Sequence, residues 1–262
     1  MSETTLDRAH AAMTAQPGDD ALRLRFLETL SDADLFVLLE AEIEDDRVRP
    51  VSVTIDGAEY VLAFDTEERL SAFAGRPAPY AGLPGRALVQ MMTGQGAGLA
   101  LNLRVAPWTW VLPSDGVDWL SRTLGHAPEE TEARLVGISR PTGLPEAVLD
   151  ALDRKLSRTA GLARVAWLAA ADYADGGRGH VLGFVGADAR SHAALAHAAG
   201  EALTFSGIEA GVIDVIFVEE GDEMARRLER VGLRFDLPVI ERATPEVPMA
   251  PGSDPDKPPK LR

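Results

Sequence analysis

A hairpin constrains this chain more than any other feature. Val51-Ser52-Val53-Thr54-Ile55 alternates at period two, Asp56-Gly57 follows, and Tyr60-Val61-Leu62-Ala63-Phe64 returns as a partner strand. A two-residue turn that matches the twist of its strands needs positive φ, and Gly takes it without penalty. This part of the chain is therefore committed to a sheet.

Helical and strand patterns surround the hairpin. Leu6, Ala9 and Met13 form a short helical stripe, and after Gln16-Pro17-Gly18-Asp19-Asp20 a second helix starts with Asp at its cap. It carries Leu22, Phe26, Leu27 and Leu30 at helical spacing. Leu35–Leu39 is a continuous apolar run of strand length. Helices are predicted over 66–74 and 84–93, with Thr66 as N-cap and Glu67 and Glu68 in the first turn, where the helix dipole favours acids. Strands near 98–103 and 108–112 come next, then a helix capped by Ser114 or Asp115 and running through Leu124.

Residues 126–144 read as a boundary. His126-Ala127-Pro128-Glu129-Glu130 is polar, Arg134–Ile138 has the pattern of a short strand, and Arg140-Pro141-Thr142-Gly143-Leu144-Pro145 is a breaker cluster. Beyond it, helices over 145–158, 189–204 and 221–231 alternate with strands over 164–171, 180–185 and 212–218, and Leu233–Asp236 adds an edge strand. From Ala243 the prolines and the missing apolar pattern predict a disordered tail. The expected fold class is α+β, with α/β-like alternation in the second half. Two small mixed-sheet domains are expected, helices packed on their sheets, over 1–125 and 145–242. A linker over 126–144 joins them, and a tail over 243–262 follows.

Composition narrows the function classes. The net charge of −15 repels phosphate backbones and anionic bilayers, and no Lys/Arg cluster offsets it, so neither nucleic acid nor membrane is an expected partner. The absence of cysteine removes disulfides, thiolate nucleophiles and cysteine-based zinc sites. Met1–Asp7 lacks a basic segment followed by an apolar one, and no apolar run approaches the roughly 20 residues of a bilayer span. A cytoplasmic protein is expected.

Motifs that invite a chemical reading resolve into turns. Gly94-Gln95-Gly96-Ala97-Gly98 has the order helix, glycines, strand, whereas a dinucleotide fingerprint needs strand, glycines, helix. His192 and His197 stand five residues apart, about 140° around a helix, which is wrong for one shared metal. Asp172 and Asp175 sit in a Gly-rich hairpin loop without the closing Glu of a calcium loop. Ser206-Gly207 follows a helix and lacks the Gly-x-Ser-x-Gly frame of a nucleophile elbow. Two carboxylates have buried-type positions: Asp65 at the end of its strand, and Asp214 on the same face as Val212, Ile216 and Val218. A carboxylate so placed needs a hydrogen-bonding partner or a raised pKa. Trp108 and Trp110 face one side of their strand, with Asn102 and Arg104 just upstream. Exposed, these four make a binding surface; buried, the indoles belong to the core.

The segment Leu35–Leu120 resembles the N-terminal domain of the SseB family, the "enhanced serine sensitivity" proteins. The resemblance rests on Leu35–Leu39, the Asp56-Gly57 hairpin, Phe64-Asp65-Thr66-Glu67-Glu68-Arg69-Leu70-x-x-Phe73, the Leu88–Met92 helix and Gly98-Leu99-Ala100-Leu101-Asn102. Residues from about 144 to 241 look like the family's C-terminal domain. The family pattern often continues the Asn with Pro, whereas Leu103 follows Asn102 here. The family name records a phenotype, so the resemblance implies no catalytic residue. A type III secretion label attaches to it by name only, because that translocon component is unrelated.

Together these readings lead to a non-enzymatic binding or regulatory protein that takes a protein or a small metabolite and needs no cofactor. One alternative is an enzyme with a carboxylate-centred site, using Asp65 or Asp214 with Arg69 or Arg86. Another is a self-associating structural protein, with the second domain as the dimer face.

Overall fold

Strands β2 (Ser52–Ile55) and β3 (Ala58–Phe64) pair antiparallel across a turn in which Asp56 and Gly57 both have positive φ, 51° and 84°. The computed structural model describes residues 3–42, 48–105, 107–125, 134–207 and 213–238. The residues expected to form a tail lie outside these, as does His126.

Around the hairpin a mixed sheet assembles in the order β4-β1-β3-β5-β6, where β1 is Asp34–Leu38, β4 Tyr80–Pro84, β5 Gly98–Leu101 and β6 Trp110–Leu112. β3 and β5 run parallel, and β1 and β2 share one edge of β3 at different registers. Period-two alternation divides β3 between two cores. Val61 and Ala63 face a large cluster built with α1 (Thr5–Ala15), α2 (Asp20–Asp32), α4 (Gly85–Met92) and α5 (Ser114–Leu124). Leu62 and Phe64 face a smaller one with α3 (Glu67–Ala74).

Three local readings need correction. β4 was not expected, because Gly82 and Pro84 hide an edge strand whose apolar residues are few. Neither Ser114 nor Asp115 caps α5: Pro113 holds the cap position, and Asp115 accepts from the Gly116 amide instead. The strand over 98–103 stops at Leu101, because Asn102 and Arg104 adopt positive φ, and β6 starts only at Trp110.

The second half forms a mixed sheet in the order β10-β9-β8-β11, from β8 (Val165–Tyr173), β9 (Arg178–Val185), β10 (Ile213–Val218) and β11 (Leu233–Asp236). β7 (Leu135–Ser139) pairs with β8 beyond β11, so this sheet begins inside the stretch read as a linker. α6 (Glu146–Leu156) and α7 (His192–Phe205) cover one face, and α8 (Glu223–Val231) covers the other. The fold is thus α+β with two mixed sheets. α7 crosses to the first half: Phe205, at its end, is buried in the large core of α1, α2, α4 and α5. No described helix is long and apolar enough to cross a membrane.

Candidate functional site

Two buried ionic clusters dominate the polar chemistry. The first fastens α1 to the sheet. Thr4 and Asp7 form a capping box, so the Asp7 carboxylate sits in the first turn of α1 and already accepts the Thr4 amide at 2.9 Å. Arg69 Nη2 donates to Asp7 Oδ2 at 2.6 Å, and Arg69 Nη1 donates to both Asp65 oxygens at 2.7 and 2.8 Å. Thr4 Oγ1 donates to Asp65 at 2.7 Å, and Trp108 Nε1 to Asp7 Oδ1 at 2.8 Å. Burial alone would raise the Asp7 pKa, but hydrogen bonds from Arg69, Thr4 and Trp108 outweigh it and lower it from 3.8 to about 2. Asn102, fully buried, accepts the Asp65 amide through Oδ1, an orientation a flipped amide would turn into a donor–donor clash.

Those contacts settle the fate of the residues singled out from sequence. Asp65 is buried and paired with Arg69. Trp108 is partly buried, stacked on His10 with ring centroids 4.3 Å apart, and Trp110 packs edge-on against Phe26 at 4.7 Å. Asn102 is inside and Arg104 is exposed, so the four residues Asn102, Arg104, Trp108 and Trp110 share no single exposed surface. Asp214 is half-buried and accepts the Tyr173 hydroxyl; burial and that bond push the Tyr173 pKa up. Arg86 pairs with Asp32 and Glu201, whereas Asp65 pairs with Arg69. His192 stacks on Phe217 at 3.7 Å, while His197 faces Glu201 at 3.0 Å. Among the described residues no group of His, Asp and Glu has the geometry of a metal site.

The second cluster joins the two halves. Asp32, at the end of α2, accepts from Arg86 of α4, from Lys155 at 3.0 Å and from Arg158 at 2.7 Å. Glu201 of α7 accepts from Arg86 at 3.1 Å and Lys155 at 2.5 Å. Burial would raise both carboxyls, but the cations outweigh it and lower them. Glu28 differs. Its side chain is only 7% exposed, Arg154 Nη2 reaches it from 3.4 Å, and its Oε1 has no hydrogen-bond partner. Burial wins there, and the Glu28 pKa is raised.

A cleft of about 370 Å³ opens over this second cluster, between α1 and α2 on one side and α6 on the other. Its charged lining is Arg8, Arg25, Arg154, Lys155 and Arg158 against Glu28 and Asp32. Arg8 and Arg25 are exposed and have no ion-pair partner among the described residues.

Residues 6–119 match the family model of the SseB protein N-terminal domain. No curated protein and no solved structure matches the chain. The SseB match encloses the whole Asp7–Asp65–Arg69–Trp108 cluster and ends within α5. It includes the cleft residues Arg8, Arg25, Glu28 and Asp32 but not Arg154, Lys155 or Arg158. The cleft is therefore walled mostly by the matched segment and closed by Arg154, Lys155 and Arg158 from beyond it. Sequence reading missed it because its charges lie far apart in the chain and none belongs to a motif. The only local hint was Glu28 next to Leu27 and Leu30 on an otherwise apolar helix face.

Proposed function

We propose that this is a cytoplasmic binding or regulatory protein rather than an enzyme, and that the cleft between α1, α2 and α6 takes a small anionic metabolite. One observation carries the reading. In a chain of net charge −15, this cleft has five cationic side chains (Arg8, Arg25, Arg154, Lys155, Arg158) and two acidic ones. Arginine forks suit carboxylate and phosphate groups, and a concave site excludes competing water. A ligand there touches both halves, which we read as an SseB-like N-terminal domain and an SseB-like C-terminal domain.

Thermal melts in a panel of small anions, neutral sugars and polyamines test this. Anions should raise the Tm, and Arg8→Glu/Arg25→Glu should abolish the rise. A panel in which no anion shifts the Tm rejects the reading. The competing enzymatic reading has its best carboxylate in Glu28, which lines a cleft, rather than in Asp65 or Asp214.

A further inference from the structure

We propose that an anion bound in this cleft takes Arg154 away from Glu28, and that Glu28 then accepts a proton from the solvent. This rests on the anion reading of the cleft and adds its regulation. Glu28 has one direct partner, Arg154, at 3.4 Å, the longest of the buried ion pairs here. Arg154 is 35% exposed on the cleft wall, so an incoming anion can reach it from solvent. Glu28 Oε1 has no donor to fall back on.

The neighbours offer no replacement. Lys155 of α6 is held by Asp32 and Glu201, and Arg158, in the turn after α6, by Asp32. From α4, Arg86 is held by the same two acids, and from α7, Glu201 faces His197. On its own helix Glu28 meets the negative charge of Asp32, while Arg25 and, from α1, Arg8 stand exposed at the mouth. An ionised Glu28 stripped of Arg154 would keep the favourable charge of Lys155 nearby but lose its one hydrogen-bond donor, buried beside the Asp32 carboxylate, and protonation becomes the less costly state. One anion enters, one proton leaves the buffer, and the O–H bond forms on the Glu28 carboxyl.

Sulfate is the probe, because it has no proton of its own to exchange near neutral pH. Isothermal titration of sulfate into the full chain near pH 6, in two phosphate-free buffers of different ionisation heat, should show proton uptake by wild type. Affinity should fall by up to about tenfold for each pH unit where uptake occurs. Glu28→Gln should bind sulfate at least as tightly with no uptake, and His197→Gln should keep the uptake. Sulfate binding with buffer-independent heat, or uptake that survives in Glu28→Gln, overturns the coupling. Sulfate binding to neither wild type nor Glu28→Gln overturns the anion reading and the coupling with it.

Discussion

Arg69 neutralises two buried carboxylates, Asp7 and Asp65, with its own side chain only 3% exposed. Removing it leaves both acids without a counter-charge, a loss of about 3–5 kcal/mol for a buried pair. Arg69→Met should lower the urea midpoint accordingly. It should also change the acid limb. The Asp7 pKa is lowered from 3.8 to about 2 in the folded chain, so its contribution is full above 3.8 and is lost as pH falls through about 2. In Arg69→Met that limb should flatten, read by circular dichroism across an acid titration; an unchanged limb would mean that Arg69 does not hold Asp7 down. Sequence showed the buried-type position of Asp65 at the end of its strand and offered Arg69 as one possible partner. It did not show Asp7, which is polar, lies in the first turn of an ordinary amphipathic helix, and meets its counter-charge only because α3 brings Arg69 to it.

Elements with strong local signals were legible. The Asp56-Gly57 turn, the Thr66 cap and the apolar run at Leu35 each fix their structure with residues a few positions apart. Elements that depend on distant partners were not: β4 is a strand because β1 pairs with it from Asp34 to Leu38. Close packing of elements was equally hidden. A Cβ on Gly85 would lie 2.0 Å from the Leu30 carbonyl oxygen, where α4 begins against the end of α2. Gly85→Ala must push those helices apart, and overpacking of this kind destabilises by about 1–3 kcal/mol. A thermal melt of Gly85→Ala that matches wild type would show that the helix crossing is looser than its geometry.

The two halves meet through buried charge and through α7. Lys155 sits between Asp32 and Glu201 with its side chain 6% exposed. Lys155→Met removes the more buried of the two cations that both acids share, leaving Arg86 on both and Arg158 on Asp32. We expect calorimetry of wild type to show one cooperative transition, and Lys155→Met to show two, with the seam parting first. A single unshifted transition in the variant would mean that the charges contribute little to joining the halves. None of this seam was readable from sequence, because Glu28 and Arg154 stand 126 positions apart and Lys155 and Asp32 stand 123 apart.

Phe205 comes from the second half yet fills the interior beneath α2 and α5. A fragment cut after α5, close to where the family match ends, would therefore carry an open socket the size of a benzyl group. Such a piece would be sticky in isolation, and ring-bearing peptides supplied in trans would be natural plugs for it.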